Sequence, residues 1–160
     1  MKWIKTFESY HDLIVWRAGE IKSGYPIFFT KDLSLAKIFK KEFNYDVIYG
    51  AKLHLKNPFI MESSGSWQNL HIDEILKTLS KEDLFEMIRY EFGDEYTDLD
   101  DYFNNFEPIS ADILADYLMR NKKEYDGLIL KDIDETGNFI NTDDYIVFDT
   151  SKIEIVKTIK

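Results

Sequence analysis

Residues 141–149 read Asn-Thr-Asp-Asp-Tyr-Ile-Val-Phe-Asp. Tyr145 to Phe148 is a run of strand formers, so this part of the chain is β structure. Asp143 and Asp144 lack β propensity, and their adjacent carboxylates repel, which assigns the pair to the preceding turn. Asp143 then reads as a solvated turn residue. Asp144, held at a strand mouth, is a candidate functional carboxylate.

Working outward, YDGLILKDI (125–133) and KIEIV (152–156) are further strands, with a turn around Glu135-Thr136-Gly137-Asn138. At the other end, Leu13 to Trp16 is a compact apolar strand closed by Arg17, Ala18 and Gly19. Ile27-Phe28-Phe29 is a second strand. The apolar residues Leu35, Ile38, Phe39 and Phe43 then recur at helical spacing and predict a helix from about Leu33 to Glu42. Ala51 to Lys56 alternates as a half-exposed strand, which Asn57-Pro58 stops. Between about 70 and 122 the pattern is helical, with Ser80 and Ser110 as caps. Within it, Glu91 to Glu107 carries seven acids and no Lys or Arg, and reads as an exposed loop or irregular insertion. Strands, helices, strands is an α+β plan, and 160 residues suit one domain, 1–160.

The chain has 44% hydrophobic residues, among them 12 Phe and 10 Tyr, enough for a packed core. It has no Cys, which excludes disulfides, cysteine-based zinc sites and thiol nucleophiles. The net charge of −10 disfavours a nonspecific grip on nucleic acid or an anionic membrane. No apolar run reaches signal-peptide or membrane-spanning length, so a cytoplasmic protein is expected. His11, His54 and His71 are scattered, and the acidic run lacks the glycine and closing Glu of an EF-hand, so no metal is expected.

Several residues could carry chemistry. Arg17 at a strand mouth has a donor fork suited to phosphate. Phe28 and Phe39 could flank a flat ring, with the Thr30 hydroxyl at the rim. Asp126 precedes Gly127 as an ordinary turn signal. Asp132, Asp134 and Glu135 lie before a turn and read as solvated.

Five stretches together, WRAG (16–19), IFFTKDLSLAKIF (27–39), LKNPF (55–59), EYDGLIL (124–130) and DYIVFDTSKI (144–153), resemble an ADP-ribosyltransferase domain. The likeness is to its small phage- and plasmid-associated members, and it covers about half of the chain. DYIVFD is similar to the Glu-Tyr-Ile-Val-Tyr-Asp of poly(ADP-ribose) polymerases, with Asp144, one methylene shorter, in place of the Glu. Arg17 fits the arginine-bearing branch of the superfamily instead. Thr142 stands where arginine-modifying members carry an acid.

The resemblance implies a split antiparallel sheet with a helical insertion at about 70–122. It implies NAD as co-substrate, with Asp144 steadying the ribose and Arg17 on the pyrophosphate or adjoining ribose. Ala18 would bind the nicotinamide amide through its backbone, with Phe28, Thr30 and Phe39 around the ring. Asp132, then Asp126, are the alternative acids. The acceptor would be a protein or a nucleic acid, in a toxin, a defence effector or an anti-CRISPR protein, with an antitoxin or CRISPR effector as partner. Two other readings are an NAD glycohydrolase and an inactive mimic that binds through the acidic aromatic segment Tyr96 to Phe106.

Overall fold

The computed structural model describes residues 12–135 and 141–160. In chain order the elements are β1 (Val15–Ala18), β2 (Ile27–Thr30), α1 (Leu33–Glu42), β3 (Ile48–Leu53), β4 (Pro58–Met61), β5 (Gly65–Ser66), β6 (Asn69–Leu70) and α2 (Ile72–Ile75). There follow α3 (Lys81–Phe92), α4 (Leu99–Asn104), α5 (Ala111–Asn121), β7 (Gly127–Asp134), β8 (Asn141–Val147) and β9 (Ile153–Ile159). The class is α+β, with a mixed, mostly antiparallel sheet. Among the described residues no helix is long and apolar enough to cross a membrane.

The helices begin where short polar side chains satisfy the first free amides. The side chains of Asp32, Ser80, Asp98 and Ser110 accept from the amides of Ser34, Asp83, Asp101 and Ile113 at 2.8, 3.0, 2.8 and 3.3 Å. Over residues 99–104, helix α4 corrects the reading of 91–107 as an exposed loop or irregular insertion, while most of the stretch is exposed. Tyr96 and Tyr102 are core residues, their rings edge to face at 5.3 Å, and the acids between them point outward.

The sheet runs β6-β5-β7-β8-β2-β1-β3-β9, with β4 also on β7. Strands β4 and β5 are parallel to β7, a departure from a wholly antiparallel sheet. The cause of the first is local. The Asp126 carboxylate accepts the amides of Lys56 and Asn57 at 2.6 and 3.0 Å, which fixes Pro58 beside Gly127. Pro58 therefore opens a strand rather than ending one, since a first strand residue need not donate. Gly127 cannot be larger, because a Cβ there would lie 2.6 Å from the Ile146 carbonyl oxygen.

Strand β8 lies between β2 and β7. Ile146, with Leu128, Leu130, Phe59 and Met61, packs against Leu84, Met87, Leu114 and Leu118 of the helices. On the opposite face Tyr145 and Val147 join Val15, Ile27, Phe29, Ala51 and Leu53. Both faces are covered, which is why Tyr145 to Val147 is continuously apolar. The strand starts at Asn141, so the two acids belong to it and not to a turn. Alternation turns their carboxylates to opposite faces and lessens the repulsion that seemed to exclude them.

Candidate functional site

Strands β1 and β2 pair only at Trp16 and Thr30, whereas β1 pairs with β3 over four residues. A cleft of about 340 Å³ sits over this junction, a size suited to a small ligand. Partners in antiparallel strands point to the same face, so Gly50, Trp16, Thr30, Asp144 and Leu130 form one cross-strand row. Gly50 makes room for Trp16, since a Cβ there would lie 2.7 Å from the indole ring.

The cleft is lined by Trp16, Arg17, Ala18, Phe28, Thr30, Phe39, Trp67 and Glu135, among others. Phe28 packs on Trp67 with ring centres 4.7 Å apart, and Phe39 on Phe43 at 6.3 Å. The sequence-predicted Arg17, Ala18, Phe28, Thr30 and Phe39 therefore meet in one place, with Trp16 and Trp67 as walls that sequence reasoning did not single out.

Arg17 is half-buried. Its Nε donates to the Glu20 carbonyl at 2.8 Å and its Nη1 to the Phe28 carbonyl at 3.2 Å. Among the described residues two of the guanidinium's five N–H donors find an acceptor and three do not. Burial pulls its pKa down, with the neighbouring Tyr45 acting in the other direction. Among the described residues it pairs with no carboxylate, so the cation is available to an anionic group.

Asp144 is only 1% exposed and does not line the cleft. The acid that does is Glu135, read from sequence as solvated. Its placement follows from a β-bulge. Leu130 pairs with Asp144, yet Ile133 pairs with Thr142, so β7 carries one extra residue there. Asp132 takes the left-handed φ of 54° that the bulge requires, and the side chain of Asp143 accepts its amide at 3.0 Å. Leu130 and Ile133 thus share a face, and Glu135, two residues on, follows them to the cleft side. Without the extra residue, strand alternation would turn Glu135 away. The one local hint is that Asp tolerates the left-handed region better than most residues.

Among the described residues no donor makes a hydrogen bond of ordinary geometry to either oxygen of Asp144 or to Oε2 of Glu135. The two carboxyls lie against each other, a contact that becomes a hydrogen bond when one is protonated. Burial, then the Glu135 carboxyl, then the charge of Asp143, push Asp144 well above the ordinary 3.8; the Thr30 hydroxyl counters weakly. Glu135 is also raised, chiefly by burial, while its contacts with Asp144 and Thr30 draw it back.

The other candidate acids stand elsewhere. Asp132 is exposed and accepts from the Asn141 side chain at 2.8 Å; it shapes the bulge. Asp126 is occupied by the amides that fix β4. Asp143 is not an idle turn residue, because it caps the bulge and pairs with Lys31 at 3.8 Å.

Among the described residues the cleft joins a cation without a carboxylate partner, apolar ring walls, a hydroxyl and the Glu135 carboxyl, with Asp144 enclosed behind it. No family model, curated protein or solved structure matches the chain.

Proposed function

We propose that this protein is an NAD-dependent mono-ADP-ribosyltransferase, which breaks the nicotinamide–ribose bond and passes ADP-ribose to a macromolecule. The observation that carries the reading is that Arg17, Thr30, Phe28 and Phe39, to which the sequence resemblance gives roles around NAD, line one cleft together with an acid, which is Glu135 and not the Asp144 that the resemblance implies. The spare donors of Arg17 suit a pyrophosphate. Phe28, Phe39 and the tryptophans suit a flat leaving ring. Bond breaking develops positive charge on the ribose, and fixed negative charge nearby stabilises that state more than the ground state.

The acceptor is a protein or a nucleic acid, and the setting phage–host conflict in the cytoplasm, as the resemblance implies. The mimic reading loses support because Tyr96 and Tyr102, half of its proposed contact aromatics, are core residues. The test is incubation with labelled NAD and a host lysate. Label enters the macromolecular fraction with the wild type and falls at least tenfold with Phe28→Ala, provided circular dichroism shows that variant folded. Steady nicotinamide release with no labelled acceptor would make the protein a glycohydrolase instead.

A further inference from the structure

We infer that Glu135 and Asp144 form a proton-sharing pair in which Glu135 presents its carboxylate to the cleft and Asp144, sealed behind it, is the positioning residue. The inference rests on the NAD reading for the ligand's identity but not for the pair itself. Two carboxyls enclosed together cannot both ionise at ordinary cost, and both oxygens of Asp144 lack a donor. A proton between them satisfies the contact. Asp144 is the more enclosed partner and holds that proton, while Glu135 reaches the cleft and carries the charge.

Among the described residues no cation is paired with either carboxyl. Thr30 faces the pair from β2, Asp32 faces Glu135 from the cap of α1, and Asp143 adjoins Asp144 in β8. Lys31, next to Thr30 in the chain, pairs with Asp143, whose side chain belongs to the other face, and Lys131, four residues before Glu135, pairs with Glu62. The compensating partner must come from the ligand, as a hydroxyl donor or a centre that becomes positive. A ribosyl group offers both. In the transfer step the ribose–nitrogen bond breaks and nicotinamide leaves with the electron pair. An acceptor heteroatom supplies the pair for the new bond, and its proton passes to the Glu135 carboxylate. No further reactant is needed.

The contact with Asp144 helps Glu135 ionise, so the pair has one active form, with Glu135 charged and Asp144 protonated. The test is the pH profile of nicotinamide release. The wild type gives a bell, whose high-pH limb is the ionisation of Asp144. Asp144→Asn keeps a donor at that position and flattens the high-pH limb. Asp144→Val removes the donor, moves the low-pH limb upward and lowers kcat roughly 10- to 100-fold, with KM changed less. Glu135→Gln lowers kcat about 100-fold or more. Wild-type profiles in both Asp144 variants would overturn the pair. Carboxyl carbon NMR titration reads the pair without NAD: two coupled steps, one of them well above 3.8, support it. Two independent titrations near 3.8 and 4.5 would overturn it. If the wild type releases no nicotinamide while NMR finds the coupled pair, the NAD reading fails and the pair stands.

Discussion

Asp144 lies enclosed in the middle of the sheet, 1% exposed, between Thr30 of β2 and Leu130 of β7. The sequence places an acid at the start of an apolar strand; its depth depends on β2 and β7 pairing on either side of β8, which local pattern does not encode. Glu135 was harder still, because counting alternation along β7 sends it to the wrong face unless the extra residue at the bulge is known. The burial of Asp144 has a thermodynamic consequence. Its folded pKa is raised, so above 3.8 the folded state keeps a proton that the unfolded chain releases. More protons bound in the folded state means that stability falls as pH rises from there, until the folded group itself ionises. Asp144→Asn removes that dependence. Denaturant unfolding should show the variant more stable than wild type by about 1–3 kcal/mol at pH 7, with the difference shrinking toward zero at pH 3. A variant less stable at neutral pH would show that the carboxyl is better satisfied than described.

Among the elements, α1, α3 and α5 were legible because their apolar periodicity and capping residues agree, and α1 matches the predicted Leu33 to Glu42. Strand β4 and its parallel pairing were not, because they depend on Asp126 reaching back to amides some seventy residues earlier. The bulge in β7 is the element on which the cleft depends. Asp132→Gly suits the backbone at φ 54° and should leave stability within about 0.5 kcal/mol of wild type. Asp132→Val, whose branched side chain resists that region, should cost about 1–2 kcal/mol and lower activity by displacing Glu135. Equal stability of the two variants would show that the bulge is not held in this geometry. At the cleft's other end, Gly50→Ala places a Cβ against the indole of Trp16 and should destabilise by about 1–3 kcal/mol, with quenched or shifted tryptophan fluorescence. Unchanged melting and emission would mean that the ring does not lie across the sheet.

Over the whole molecule, the strands–helices–strands order already indicated an α+β plan, because the two ends of the chain share a sheet. The resulting cleft takes its parts from both ends, Trp16 and Arg17 from β1 and Glu135 from just beyond β7, with Asp144 of β8 behind it. Charge is divided likewise. Residues 1–56 contain ten Lys and Arg against six Asp and Glu, and residues 57–160 ten against twenty-four. Arg17 belongs to the cationic part and the acid pair to the anionic part. That polarity matches a ligand that is anionic at its phosphates and cationic at its ring, as NAD is, and the net charge of −10 alone would have hidden it. The most direct test is a calorimetric titration of NAD into the wild type and Arg17→Ala. Saturable binding to the wild type, weakened at least tenfold in the variant, is the predicted result. No binding to the wild type, or equal affinity in both, would contradict the assignment of this cleft to NAD.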